Sequence, residues 1–278
     1  MISTAPTTRH AQQKSGGVFD YISPSRLNLW LRCPLSWKLR YLDGIRTPTT
    51  LALFLGQRCH ATLEAYYRHR MLGVTLATDD VLGRMEAGWG QAVEEAEITF
   101  ESPAEGAKLK MQAGDLVRAY LQQVPADEPQ PLAVEATMEA PLVDPVTGQG
   151  LGIPLLGVVD LVLPGEEGPV IIDFKSSSRS APPFEVTHEI QLSCYAWLYR
   201  QLTGRQEASL EIRSLVKTKK PKIEMHRYPA RTDAHFRRLF AVIREYLDAI
   251  HTGRFSYRPG WGCSMCDYRE QECRAWAG

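Results

Sequence analysis

The chain has 278 residues, of which 32 are acidic, 32 are basic and 44% are hydrophobic. This length allows one large domain or a catalytic core wrapped by accessory elements, and we favour the second. The balanced charge excludes binding of nucleic acid through an overall basic surface, so such contacts must come from local basic clusters. No apolar stretch could span a bilayer and the polar N-terminus lacks a signal-peptide core, which predicts a cytoplasmic protein without membrane contact.

The first half of the sequence predicts helices. Residues 1–20 are rich in Thr, Ser, Gln and Gly, and we interpret them as a flexible lead-in. A mainly helical region over 21–130 begins with a capped helix after Ser23, which the Cys33-Pro34 step interrupts because proline lacks a backbone donor. Further helices are predicted over 56–72, 79–97 and 105–124.

In the second half, short alternating or apolar runs replace the helical periodicity and predict an α/β core over 131–252. Three neighbouring strands are predicted from alternating or apolar runs at 132–139, 153–163 and 170–175. A helix over 187–203, strands over 209–216 and 223–228 and a helix over 233–252 complete the order. The sequence therefore predicts an α/β fold with an added helical section and a cysteine-bearing tail over 253–278.

Two of the predicted strands deliver charged groups near an end. Asp160 closes the segment Gly157-Val158-Val159-Asp160, and Asp173 is followed two positions later by Lys175, on the same face of its strand. Two carboxylates and an ammonium around one point would suit a hard divalent cation that activates water at a phosphate. For an isolated Asp-x-Lys, solvated strand ends are by far the commoner explanation, because such tripeptides are frequent.

Two further motifs favour the chemical interpretation. His60 lies upstream on a predicted helix, and Gln191 and Tyr195 lie one turn apart on the helix after the Asp-x-Lys strand. With Gly56-x-x-x-His60, Gly157-x-x-Asp160, Asp173-x-Lys175 and Gln191-x-x-x-Tyr195 in this order, the sequence resembles the RecB-like nucleases of the PD-(D/E)xK superfamily.

The resemblance implies a restriction-endonuclease-like core with a central mixed sheet flanked by helices. It also implies that His60, Asp160, Asp173 and the Phe174 carbonyl ligate a catalytic Mg2+ or Mn2+ ion. Lys175 would serve the attacking water, and Gln191 and Tyr195 would support the site or touch DNA. Glu64, one turn from His60, could join a second metal site, although a solvated helix face explains it better. Glu135 could contribute from the first strand and is a weaker candidate.

Six cysteines in a reducing compartment are better weighed as metal ligands than as disulfides. Cys263, Cys266 and Cys273 lie close together in the sequence and form a local loop. Cys33 is the natural fourth ligand. Cys59 and Cys194 are competing candidates, although both are also typical of small buried apolar residues.

Four thiolates suit structural zinc or an iron-sulfur cluster, and spacing alone does not choose between them. The one-plus-three pattern is similar to the iron-sulfur staple of AddB-type and CRISPR-associated RecB-like exonucleases. That resemblance implies a [4Fe-4S] cluster joining the N- and C-terminal regions.

A lysine-rich turn lies between the last two predicted strands, at Lys217, Lys219, Lys220 and Lys222. This turn either keeps the protein soluble or contacts the phosphates of bound DNA.

Together these features predict a metal-dependent DNA nuclease, foremost a single-strand exonuclease in DNA repair, recombination, phage replication or CRISPR adaptation. Its DNA would be single-stranded or have free ends. The alternatives are a defence or restriction-type endonuclease and a non-catalytic DNA-binding assembly subunit. Because the sequence has no phosphate-binding loop motif, unwinding must come from a partner, with a helicase or CRISPR adaptation proteins as candidates.

Overall fold

A computed structural model of the protein describes residues 17–180 and 184–276, so most of the predicted lead-in over 1–20 lies outside the described residues. The helices are α1 Pro24–Arg32, α2 Pro34–Tyr41, α3 Leu51–Met71, α4 Thr78–Ala87, α5 Trp89–Glu95, α6 Pro103–Leu121, α7 Glu185–Thr203, α8 Asp233–His251 and α9 Glu272–Ala275. The strands are β1 Ala133–Val143, β2 Gly150–Leu163, β3 Val170–Ser177, β4 Ser209–Val216 and β5 Lys222–Pro229. None of the described helices has both the length and the apolar character that crossing a membrane requires.

The first two helices form as the sequence predicts. The Ser23 hydroxyl caps α1 by accepting a hydrogen bond from the Arg26 amide at 3.3 Å. Cys33 then adopts an extended backbone, which ends α1 and lets Pro34 begin α2. The predicted interruption at this step is confirmed.

Two other helices differ from the prediction. Helix α3 begins at Leu51 rather than at residue 56, because the Thr50 hydroxyl caps it by accepting from the Leu53 amide at 3.2 Å. The helix predicted over 79–97 is two helices, α4 and α5, that meet at Gly88.

The five strands form one mixed sheet in the order β1-β2-β3-β4-β5. Strands β1, β2 and β3 are antiparallel neighbours, β3 and β4 are parallel, and β4 and β5 are antiparallel. Helix α7 makes the crossover that the parallel pair requires. The predicted central mixed sheet with flanking helices is confirmed.

Each face of the sheet is covered by a separate hydrophobic cluster. Helices α1, α2, α7 and α8 cover one face, where Ile171 and Ile212 are fully buried. Helices α3 to α6 cover the other face, where Ile172 and Phe174 are buried. Successive β3 side chains therefore enter opposite layers, as the period of a strand requires.

The C-terminal tail packs against the first two helices. The Leu35 amide donates to the Ser256 carbonyl at 3.2 Å, and the Tyr268 hydroxyl donates to the Ile45 carbonyl at 3.0 Å. Leu35, Leu39 and Tyr268 form a small buried cluster at this contact.

A close contact between β2 and α7 explains the glycine of the Gly157-x-x-Asp160 motif. A Cβ atom at Gly157 would lie 2.8 Å from Leu198 Cδ1, and Leu198 is fully buried. Any larger residue must therefore displace packed core atoms.

We expect Gly157→Ala to lower the free energy of unfolding by about 1–3 kcal/mol, because the added methyl overpacks the contact with Leu198. Urea unfolding measures the change. Gly83→Ala in α4 is the matched control: its Cβ would meet nothing within 4 Å, so stability should rise by up to about 1 kcal/mol. The Gly157→Ala/Leu198→Ala pair should lose less than the sum of the two single losses, and strict additivity would contradict this account.

Candidate active site

The two motif aspartates face each other where the β2–β3 ladder ends. The last pair of that ladder is Leu161 with Ile172, so Asp160 and Asp173 occupy the next opposed positions. The Asp160 carboxylate takes the place of a ladder acceptor, because its Oδ2 accepts the Phe174 amide hydrogen at 2.7 Å. Backbone pairing of β2 with β3 therefore ends where the two aspartate side chains lie.

The Asp173 carboxylate is buried and held from two sides. Its Oδ1 accepts from Gln191 Nε2 at 2.8 Å and from the Tyr195 hydroxyl at 3.3 Å. Gln191 Nε2 also donates to the Tyr195 hydroxyl at 2.8 Å. On the other side, Lys175 Nζ lies 2.7 Å from Asp173 Oδ2. The α7 pair therefore orients the carboxylate, and the lysine neutralises it.

His60 reaches the same place from α3. Its Nδ1 lies 3.7 Å from Asp160 Oδ2, and its ring is hydrogen-bonded to the Phe174 backbone. Burial lowers the pKa of His60, which Asp173 opposes and Lys175 reinforces. The imidazole is thus kept neutral, the form that can bind a metal ion.

The charge balance of the site favours a cation. Burial and then the neighbouring Asp173 raise the pKa of Asp160 well above its usual range. Two carboxylates, a neutral imidazole and a backbone carbonyl are donors that suit a hard divalent cation. Among the side chains of the described residues, no three from His, Cys, Asp and Glu are drawn together closely enough to hold a metal ion. The donors fit such a cation in their chemistry but do not form a ligand shell in the part of the chain that the structure describes.

Glu135, a weaker candidate from the sequence, lies on β1 close to both aspartates. It lies opposite Asp160, between the pairs Val134–Leu161 and Ala136–Val159, and its φ of 46° is in the left-handed region. Burial, then Glu64 and Asp173 raise its pKa to about 7, against the opposing effect of Arg68. Strand alternation cannot reveal such a backbone distortion, so a role of Glu135 at this site stays a prediction.

The lysine turn connects β4 to β5 and lies beside the end of β3. The Lys217 amide donates to the Ser177 carbonyl at 2.8 Å, while Lys219 and Lys220 are exposed. Lys222 forms an ion pair with Glu224 at 3.0 Å, so its charge is partly neutralised.

The cysteines of the tail share a neighbourhood with Cys33. Cys33, Cys266 and Cys273 pack against the small cluster of Leu35, Leu39 and Tyr268. Burial raises the pKa of Cys273, and the nearby Cys33, Cys266 and Cys263 add to this effect. Burial works against ionisation of Cys33, but hydrogen bonds from the Ser36 and Arg258 backbone outweigh it and lower the pKa of that thiol.

The competing cysteines lie elsewhere. Cys59 is in the cluster under α3, where burial raises its pKa to about 12, and Cys194 is fully buried on the other face. The structure thus brings Cys33 to the tail and keeps these two in the core. The four thiols of the tail region do not form a metal-binding group as they stand among the described residues.

Comparison with known protein families assigns the chain to one of them. The sequence profile of the PD-(D/E)XK nuclease superfamily matches residues 21–274, and the chain belongs to this superfamily of nucleases. No curated protein matches the sequence.

Two solved structures are similar to the chain. The first is the crystal structure of a protein from Eubacterium rectale named a "putative exonuclease", with a TM-score of 0.63 and 14% identity, covering 99% of this chain and 95% of that one. It supports the fold. The second is the crystal structure of SSO0001, with a TM-score of 0.42 and 14% identity, covering 90% of this chain and 84% of that one.

The raised pKa of Glu135 predicts a pH-dependent effect of Glu135→Gln in buffer with a chelator. Above pH 7 the wild type carries a charge that faces Glu64 and Asp173 with only Arg68 in opposition, so Gln should stabilise the fold. The gain should shrink as the pH falls from 7 towards the unfolded value of about 4.3, because the folded protein then binds the proton first. Thermal unfolding at pH 8 and pH 5 measures it, and an equal gain at both would contradict the assignment.

Proposed function

We propose that the protein is a divalent-metal-dependent DNA nuclease, and specifically a single-strand exonuclease. One observation supports the proposal most strongly. Asp160 and Asp173 lie opposite each other just beyond the last pair of the β2–β3 ladder, and Lys175 Nζ lies 2.7 Å from Asp173 Oδ2. Membership of the nuclease superfamily supplies the reaction class.

The residues that would hold Mg2+ or Mn2+ are His60, Asp160, Asp173 and the Phe174 carbonyl. Such an ion supplies positive charge that activates water and stabilises charge developing at the phosphate. The chain's own contribution is positional. Gln191 and Tyr195 fix one oxygen of Asp173, the Phe174 amide fixes one oxygen of Asp160, and both carboxylates are thereby aimed before substrate arrives.

Lys175 has the role nearest to the reacting atoms. Its ammonium group is half-exposed and follows Asp173 on the same face of β3. We assign it to orient the attacking water. The water oxygen bonds to phosphorus while the bond from phosphorus to the leaving oxygen breaks. One proton of the water is released and the leaving oxygen takes up one, so the products are a phosphate monoester and a hydroxyl.

The substrate we propose is DNA with free ends. The similar Eubacterium rectale structure bears an exonuclease name, and its 14% identity to this chain supports the fold alone. Lys217, Lys219 and Lys220 lie on the turn beside the end of β3, where phosphates could be followed without reading sequence. The sequence carries no phosphate-loop motor, so a helicase or a CRISPR adaptation protein would present the strand. Repair, recombination and phage replication are the other settings we propose.

We also propose that the regions 21–130, 131–252 and 253–278 form one intertwined domain. Both large hydrophobic clusters support this, because each joins helices from the first region to strands of the second.

Lys175→Ala should reduce DNA hydrolysis by at least about 100-fold, because its ammonium group acts on the water and the phosphate charge. DNA affinity should change little, since it comes mainly from phosphate contacts elsewhere. Digestion of end-labelled single-stranded, duplex and circular DNA with Mg2+ or Mn2+ measures the effect.

Lys38→Ala is the control for this assay, because Lys38 pairs with Asp43 in the N-terminal helices and should have no effect. Cleavage at the wild-type rate by Lys175→Ala would remove this assignment. Cutting of circular DNA would point to an endonuclease, and no cutting by the wild type would point to a binding subunit.

For the tail we propose a [4Fe-4S] cluster held by Cys33, Cys263, Cys266 and Cys273. Support comes from the mutual influence of the four thiols, from the lowered pKa of Cys33, which favours the thiolate that ligates metals, and from the burial of the other two cysteines. The cluster would reinforce the packing of the tail on α1 and α2. The proposal also rests on the one-plus-three cysteine pattern, which is similar to that of AddB-type and CRISPR-associated exonucleases.

Anaerobically purified protein should be brown and contain about four irons and four sulfides per chain. Cys33→Ser should lose the colour as fully as Cys266→Ser, because each removes one of four ligands. Cys59→Ala is the matched control and should stay brown, since Cys59 is buried away from the tail. Absorption spectra and metal analysis decide the outcome, and colourless protein with one zinc per chain would replace iron-sulfur with zinc.

A further inference from the structure

We propose that four buried residues behind the active site, Tyr67, Tyr120, Glu128 and Arg213, are positioning residues that hold Phe174 and thereby set the site's backbone. We call these four residues the Arg213 network. The inference rests on the proposed function, because Phe174 lies between Asp173 and Lys175.

The Phe174 ring is enclosed by aromatic groups from two helices. Tyr67 of α3 stacks on it with ring centroids 6.0 Å apart and an angle of 25° between the planes. Tyr120 of α6 meets it edge to face at 5.4 Å and 88°. The His60 ring contacts it at 6.1 Å and 84°. Each arrangement is one that aromatic pairs prefer, so the ring has a defined orientation.

The tyrosine hydroxyls are held in turn by a buried ion pair. The two hydrogens of Arg213 Nη1 are shared among three acceptors, the Tyr67 hydroxyl at 3.1 Å, the Tyr120 hydroxyl at 2.6 Å and Glu128 Oε1 at 2.9 Å. The two hydroxyls lie 2.6 Å apart, and Tyr67 donates to Glu128 Oε2 at 3.0 Å. Burial raises the pKa of Tyr120 to about 12 and that of Tyr67 as well, so both hydroxyls keep their protons.

The sheet places this network directly beside Phe174. Arg213 of β4 is the register partner of Phe174 in the parallel β3–β4 ladder, so the two side chains lie on the same face. Arg70 from α3 also donates to Glu128 Oε2 at 2.9 Å, and Glu211 accepts from Arg213 Nε at 2.6 Å. Two helices, a strand and the segment after α6 therefore converge on one ring.

A purely structural role would not require this chemistry. Apolar residues could fill the same layer without the desolvation of buried charges, whereas a fully bonded polar network specifies one arrangement. What it specifies here is the peptide of Phe174, whose amide binds Asp160 at 2.7 Å and whose backbone is hydrogen-bonded to His60. Rotation of the ring would shift the groups that hold Asp160, His60 and the proposed metal-binding carbonyl together.

The test uses Tyr67→Phe and Tyr120→Phe, which keep both rings and remove only the hydroxyls. Selective 15N-phenylalanine labelling gives amide signals for the eight phenylalanines, and the Phe174→Leu variant assigns the one at position 174. In both tyrosine variants the Phe174 amide proton should move upfield, because its hydrogen bond to Asp160 loosens. Mn2+ binding followed by electron paramagnetic resonance should weaken about fivefold, and kcat should fall about tenfold with KM within about twofold.

Two controls separate positioning from stability. Tyr246→Phe removes a buried hydroxyl from the opposite face of the sheet, and Glu207→Gln weakens the buried Arg200–Glu207 pair just before β4. Both should leave the Phe174 amide signal and Mn2+ affinity unchanged, and Glu207→Gln should do so at a loss of stability, because it weakens a buried ion pair. If the tyrosine variants match these controls in amide shift and Mn2+ affinity, the network only stabilises the fold. If the wild type neither binds Mn2+ nor cuts DNA, the proposed function fails, while the amide shift still decides the network.

Discussion

The hydrogen bond from the Phe174 amide to the Asp160 carboxylate is the constraint on which the active site depends. A regular antiparallel ladder would satisfy that amide with a carbonyl of β2, and the two aspartates would then be ordinary strand residues. Here the ladder stops at Leu161 and Ile172, and a side chain takes over the bond at 2.7 Å. The strands can therefore separate without leaving a buried donor unpaired. The opening they leave is where the carboxylates meet.

The site is also asymmetric in how its two carboxylates are supported. Asp173 is oriented from the α7 side by a glutamine and a tyrosine, whereas Asp160 is approached from the α3 side by His60. The two helical layers thus each supply part of one site, and neither hydrophobic cluster could be lost without misplacing a functional group. This explains why the helices of the first half are integral to a core whose strands come from the second half.

Sequence patterns predicted the order of elements because helical and strand periods are visible in single segments. They also predicted that Gln191 would work with Tyr195, since the two are one helical turn apart. Two features of the site could not be predicted from sequence patterns. The left-handed backbone of Glu135 interrupts a run that alternates normally, and the Arg213 network joins residues up to 146 positions apart. Local patterns carry no information about such long-range bonds. The proposed iron-sulfur cluster also joins distant segments, because Cys33 lies far along the chain from the three cysteines of the tail.

The packing of α1 and α2 has a consequence for synthesis of the chain on the ribosome. Trp37 of α2 packs edge to face on Tyr246 of α8 at 5.4 Å and stacks on Phe255 at 5.9 Å, and Trp30 of α1 also meets Tyr246. These partners are translated about two hundred residues later, which takes on the order of 10–40 s at usual elongation rates. For that interval Trp30 and Trp37 lack these aromatic partners in the nascent chain. Both motif aspartates are translated before Tyr246, so the strands that carry them are made before the aromatic contacts that join α1 and α2 to α8 can form.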